Sequence, residues 1–223
     1  MFIVRPPGVY RPQGDTALLT EALRQAPIRP GARVLDLCTG TGVVAMAAAR
    51  AGARQVVATD VSVRAVLAAR LNARLRGLPI RVLRGDLVEP VAGKHFDVIT
   101  ANPPYVPCRG GPPARHGRSR TWYGGPHGRL WLDRLCAAAP PLLAPGGVLL
   151  VVHSALCGVQ ATVEALRAHG LKAAVTARRR EPFGPVLRSR AAELEAAGLI
   201  RPGQRHEELV VIRADRTDVP QRP

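Results

Sequence analysis

The chain is short of several things at once. Its 223 residues include four cysteines, Cys38, Cys108, Cys136 and Cys157, with no Cys-x-x-Cys pair and no histidine cluster at zinc-ligand spacing. That excludes a zinc ribbon and leaves free thiols and no bound metal as the expectation. No apolar run approaches the ~20 residues that a membrane-spanning helix needs. The opening MFIVRPPGVY lacks the charged start and long apolar stretch of a secretory signal, so a soluble, cytoplasmic chain is expected. Acid is scarce: 16 Asp and Glu face 32 Lys and Arg, for a formal charge of +16. Lysine is scarcer still, with Lys94 and Lys172 alone. Exchanging Lys for Arg leaves charge unchanged, so that preference does not explain the excess of base. A field of this sign attracts polyanions, which makes contact with RNA or a ribosome one expectation and a merely solvated basic surface the other.

What is present is 47% hydrophobic, enough for one substantial core and incompatible with general disorder. The order reads as alternating strand and helix. Arg33–Leu37 is a short β-like run, followed by a glycine turn and an alanine-rich helix from Val43 to Ala51 that Gly52 stops. Gln55–Thr59 is a second strand, and Ser62 caps the helix after it. Ile80–Leu83, Phe96–Ala101, Val148–His153 and Leu209–Ile212 supply further strands, so right-handed crossovers and a mostly parallel sheet are expected. Two stretches break the pattern. Cys108–Arg129, rich in Gly, Pro and Arg, reads as a long loop over the carboxyl edge of the sheet. Arg178–Arg205 reads as an arginine-rich insert with one short helix. The expected organisation is a segment 1–30 over the site, a domain 31–213 and a frayed tail 214–223.

Two turns carry chemistry. In Asp36-Leu37-Cys38-Thr39-Gly40-Thr41-Gly42 the glycines permit a sharp turn and close approach of a ligand. Asp60 ends the next strand 20 residues after Gly40, where a carboxylate can take both hydroxyls of a ribose. Gly40 to Ala45 also satisfies the dinucleotide pattern, which would seat a diphosphate at the helix N-terminus. Asp36 argues against that, because a carboxylate beside the turn repels phosphate and suits an ammonium instead. Asp86, after the third strand, is placed to accept from an adenine amine. The second turn is Asn102-Pro103-Pro104-Tyr105, straight after a buried-looking strand. Asn-Pro alone is an ordinary turn signal. Here two prolines fix the Pro103 carbonyl, Asn102 adds a second acceptor and Tyr105 a flat face, a set suited to a planar NH2 group.

These residues together resemble the class I S-adenosylmethionine-dependent methyltransferases that modify amino or amide nitrogens. More narrowly, the chain resembles the HemK/PrmC group, the glutamine N5-methyltransferases of peptide-chain release factors. Val9-Tyr10-x-Pro12-x-x-Asp15-Thr16-x-Leu18-Leu19 and Trp122-Tyr123-Gly124-Gly125-x-x-Gly128 are similar to segments of its short members. The resemblance implies a Rossmann-like α/β fold: a mostly parallel twisted sheet of about seven strands, the last antiparallel, with helices on both faces. It implies S-adenosyl-L-methionine as cofactor, leaving as S-adenosyl-L-homocysteine. Thr16, Asp36, Cys38, Thr39, Gly40, Gly42, Asp60, Val61, Asp86, Leu87 and Asn102 would contact that cofactor. Substrate would meet Asn102, Pro103, Pro104 and Tyr105, with Asn102, Pro103 and Tyr105 catalytic. A release factor is the implied protein substrate, and some short members need a small zinc-binding partner subunit. Cys38 departs from the group, which usually has glycine there. The insert 178–205 is longer than in those relatives, and no helical N-terminal substrate domain is expected. Two other readings stand beside this one: an amino-methyltransferase of RNA or DNA bases, and a non-catalytic RNA- or ribosome-binding relative. Of the aromatics, Trp131 is expected in the core, and Trp122 and Tyr123 in a substrate cleft. His116 and His127 are expected to be solvated.

Overall fold

The computed structural model describes residues 3–26, 28–109 and 121–217. Seven strands form one sheet: β1 Arg33–Leu37, β2 Gln55–Asp60, β3 Ile80–Arg84, β4 Phe96–Ala101, β5 Leu143–Ser154, β6 Lys172–Pro182 and β7 His206–Asp215. Their order is β3-β2-β1-β4-β5-β7-β6. β1 pairs in parallel with β2 and β4, β2 with β3, and β4 with β5, whereas β7 runs antiparallel to both β5 and β6. Parallel strands need crossovers, and α2 Val43–Arg50, α3 Val63–Arg74, α4 Leu130–Ala138 and α5 Val159–Ala168 lie in them.

The core is aliphatic. Leu35, Leu37, Ile99, Leu149, Leu150, Val210, Val211 and Ile212 are fully enclosed. β1 and β4 are buried on both faces, as central strands covered by helices on either side must be. Ser62 caps α3 as expected, its Oγ accepting from the Ala65 N–H. Cys38, Cys108, Cys136 and Cys157 are free thiols.

The structure adds two elements to the sequence reading. Residues 14–25 form a helix, α1, that packs beside α2 and β5. The first part of the supposed insert is strand β6, at the edge of the sheet, with arginines on both of its faces. After it, α6 Pro185–Ser189 and α7 Ala191–Ala196 close a small second core of Phe183, Leu187, Ala191, Leu194 and Ile200 against Val106. This unit roofs the carboxyl edge of the sheet. Part of the loop 108–129, His116 included, and the end of the tail lie outside the described residues.

The segment before α1 is fastened over the same edge. Asn72, wholly buried in α3, donates its Nδ2 to the carbonyls of Val4 and Thr41 and accepts from the Val4 N–H. Arg64 donates to the Pro7 carbonyl. One side chain thus ties the N-terminal segment, α3 and the glycine turn together.

Candidate active site

A cavity of about 680 Å³ opens at the carboxyl ends of the strands, where open α/β sheets bind ligands. The sheet order divides it. The ends of β1, β2 and β3 bring Cys38 and Gly40, Asp60 and Val61, and Asp86 and Leu87 to one half. Asn102 to Tyr105 follow β4 in the middle. Glu181 near the end of β6, Phe183 just after it, and Glu207 at the start of β7 line the other half, with Tyr10, Gln13 and Asp15 beside them.

Asp60 holds the glycine turn in place. Its Oδ2 accepts from the Gly40 N–H and its Oδ1 from the Ser62 N–H, both at 2.9 Å. Asp36 stands behind the turn, not in the cavity wall. Its two oxygens accept from the hydroxyls of Thr39 at 2.6 Å and Thr100 at 2.7 Å, and the Ala45 N–H donates to it as well. Burial still wins over those hydrogen bonds and pushes the Asp36 carboxyl up to about 6. Placed so, the Asp36 carboxylate braces the turn, and Cys38 and Gly40 of that turn line the cavity. Thr39 and Gly42 belong to the same support. Thr16 is also behind the wall.

Among the described residues, two that are not glycine have left-handed backbone, Cys38 at φ 57° and Leu87 at φ 45°, and both line the cavity. Such a conformation costs roughly 1–2 kcal/mol per residue, and the surroundings enforce it. The Thr59 hydroxyl donates to the Leu87 carbonyl at 3.0 Å, and the Thr39 N–H to the Thr59 carbonyl. Asp86 pairs with Arg134 at 2.8 Å, and Arg134 lies over the Trp131 ring.

At the second turn, a relay of hydrogen bonds orients Asn102. Thr16 Oγ1 donates to Asp15 Oδ1, and Asn102 Nδ2 donates to Thr16 Oγ1 at 3.5 Å. The amide of Asn102 is thereby turned so that its Oδ1 is the acceptor left for a ligand. Asp15 is buried and also accepts from the hydroxyls of Tyr10 at 2.6 Å and Tyr105 at 3.0 Å. Burial, with Asp15 beside it, raises the Tyr105 phenol well above its usual range, so it stays a neutral donor. Behind the turn, a Cβ added to Gly128, at φ +73°, would collide with the Tyr105 carbonyl and Cys157 Sγ. Only glycine lets that segment press against Tyr105, whose carbonyl accepts from the Cys157 thiol at 3.0 Å.

Asp15, Glu181, Glu207 and Phe183 line the cavity without a sequence signal of their own, apart from the place of Asp15 in the segment Val9–Leu19. Trp131, expected in the core, lines the cavity, its Nε1 donating to the Tyr123 carbonyl. Tyr123 is the buried one, and Trp122 lines the cavity. His127 is exposed.

A sheet of this order with one reversed strand, a glycine turn after β1, a carboxylate closing β2 and Asn-Pro-Pro-Tyr closing β4 defines a Rossmann-like class I methyltransferase. Comparison with known proteins agrees. The family described as methyltransferase small domain matches residues 2–110. A chain of Methanocaldococcus jannaschii provisionally named a protein N5-glutamine methyltransferase is 36% identical over 177 residues, 79% of this chain and 88% of that one. The release factor glutamine methyltransferase of Geobacter sulfurreducens is 37% identical over 157 residues, 67% of this chain and 54% of that one. This chain spans about half the length of the bacterial release factor enzymes it matches. Among solved structures, one from the E. cuniculi Mtq2–Trm112 complex superposes with a TM-score of 0.66 at 24% identity, covering 94% of this chain and 99% of that one. The chain belongs to the HemK/PrmC-like family of protein-glutamine methyltransferases.

Proposed function

We propose that the protein transfers the methyl group of S-adenosylmethionine to the side-chain amide nitrogen of a glutamine in a protein, a peptide-chain release factor. The observation that carries this reading is the Asn102-Pro103 turn in the wall of the same cavity as Asp60, with the Asn102 amide hydrogen bonded through Thr16 to Asp15. The residues present fit the cofactor. Asp60 is oriented by two N–H groups at the end of β2, where ribose hydroxyls would meet it, and a carboxylate carries about four acceptor sites. The carboxylates of Asp36, Asp60 and Asp86 beside the turn oppose a diphosphate, which disfavours a dinucleotide. When bound, the sulfonium supplies a methyl group already activated for transfer.

The protein's part is therefore aim and electrostatics. An amide nitrogen is a weak nucleophile because its lone pair is shared with its carbonyl. Asn102 Oδ1 and the Pro103 carbonyl would each accept one of its N–H groups. Both dipoles then stabilise positive charge as it grows on nitrogen, an oxyanion hole with the sign reversed. Tyr105, its hydroxyl tied to Asp15, offers its ring to the planar group. The proton leaves nitrogen after the methyl arrives, so no base must be charged beforehand.

A small partner subunit completes the proposal. Val63, Leu67 and Leu71 along α3 and Leu75 just past its end, four residues apart, are exposed, with Leu75 62% exposed. This apolar stripe supports a partner docking there. The test offers labelled S-adenosylmethionine with release factor, ribosomal RNA and duplex DNA in parallel. Label on a release factor glutamine supports the reading. Label on a nucleic-acid base alone assigns the protein to base amino-methylation, and label on none overturns both.

A further inference from the structure

We infer that Glu207, with Glu181 and Asp15 beside it, forms a subsite for a cationic side chain of the protein substrate, next to the amide held at Asn102 and Pro103. The inference rests on the protein-methylation reading and adds a feature that the substrate must carry. Three carboxylates from distant parts of the chain line the cavity at one end: Asp15 in the first turn of α1, Glu181 near the end of β6 and Glu207 at the start of β7. In a chain with 16 acids against 32 bases, that concentration is an acidic island.

The three are not equivalent. Asp15 is fully engaged by Tyr10, Tyr105 and Thr16. Glu181 leans over the start of α1, where a Cβ on Gly14 would stand 2.7 Å from its carboxylate carbon, so glycine makes the room. Glu207 is the unfinished one. It is 8% exposed and hydrogen bonds to Ser154, yet its Oε2 has no partner among the described residues. Burial, with Asp15 and Glu181 nearby, pushes its carboxyl up to about 7.

A buried acceptor without a donor is costly, as is a carboxylate held near two others. A residue that merely filled this place would be cheaper as glutamine or an apolar side chain. A neutral donor from the substrate would satisfy Oε2 but leave the repulsion among the carboxylates. A guanidinium or ammonium group does both, through a charge-assisted hydrogen bond. No group of three ligands arranged for a metal ion exists among the described residues. The neighbouring Asn102–Tyr105 turn sets the distance: the cation belongs to a residue close to the acceptor glutamine.

The test uses glutamine peptides carrying one arginine at each position from two before to two after the glutamine. Each has a twin with citrulline, which keeps the shape and loses the charge. Binding is read by fluorescence anisotropy with S-adenosylhomocysteine present, and methyl transfer by mass spectrometry. At one position the arginine peptide is expected to bind about 10-fold or more tightly than its twin. E207Q should bring that ratio close to one, and E207D should keep most of it. Absence of a preference at every position, or an undiminished ratio in E207Q, overturns the subsite. Should E207Q fail to fold, E181Q reads the same ratio. It is expected to fall about threefold, and an unchanged ratio there overturns the subsite instead. A preference dependent on Glu207 with no methyl transfer sustains the subsite and removes the glutamine reading. Transfer without preference does the reverse.

Discussion

Asp36 offers a test of how the glycine turn is held, because two of its effects have opposite signs. The carboxylate is enclosed, accepts from Thr39, Thr100 and Ala45, and has its carboxyl raised to about 6 from an ordinary value of 3.8. The protonated form is therefore favoured by the fold. Its contribution is complete below about pH 4 and is lost as pH rises through 6, a difference of about 3 kcal/mol. D36N never ionises and escapes that loss. Asparagine keeps one acceptor oxygen and presents an amine to the other donor, where a threonine hydroxyl can rotate to accept, at a cost of about 1 kcal/mol. In urea titrations D36N should be about 1 kcal/mol less stable than the parent at pH 4 and about 2 kcal/mol more stable at pH 7.5. D36A leaves all three donors without that acceptor and should lose about 3 kcal/mol at pH 4, taking about 1 for each, but little net at pH 7.5, where it too escapes the ionisation loss of about 3 kcal/mol. His153, buried and lowered to about 4, and Glu207 also titrate in this range, but they do so equally in parent and variant and cancel in the comparison. A stability difference between D36N and the parent that stays constant from pH 4 to 7.5 refutes the reasoning.

Three further outcomes are expected. N102A removes one of two preorganised acceptors and should lower kcat by about 10²-fold with little change in cofactor affinity, read by single-turnover transfer; near-parental turnover would take Asn102 out of the chemistry. D60A should weaken binding of S-adenosylhomocysteine about 10-fold or more in calorimetry, since it loses the ribose contact and frees the Gly40 and Ser62 N–H groups; unchanged affinity counts against the ribose assignment. G128A drives a Cβ into Tyr105 and Cys157 at a left-handed backbone position, so it should cost about 2 kcal/mol or more of stability and lower kcat beyond that. A variant as active and stable as the parent would show that the glycine segment does not set Tyr105.

Much of this was legible in the sequence for reasons that can be named. β1, β2 and β4 are buried on both faces, so each reads as a short apolar run, and the glycines and Asp60 punctuate them at fixed spacing. The Asn-Pro-Pro-Tyr turn is legible because its chemistry is local to four consecutive residues. β6 was hidden because an edge strand has solvent on one flank and carries charge there, so Arg178–Arg180 looks like an insert. α1 was hidden behind its motif, where threonines and a buried aspartate blur the helical period. Glu207 and Glu181 were illegible for a different reason. Their meaning comes from β6 and β7 folding back beside β5, which brings residues 181 and 207 to Asp15, and no local pattern marks that meeting. Asp36 is legible as a carboxylate beside a turn, but sequence cannot show which way it faces.

The most direct measurement of the central claim is a crystal structure with S-adenosylhomocysteine and a glutamine peptide bound. The glutamine amide nitrogen is expected within about 2.7–3.2 Å of both Asn102 Oδ1 and the Pro103 carbonyl, facing the sulfur. An ordered peptide whose amide nitrogen meets neither oxygen would contradict it.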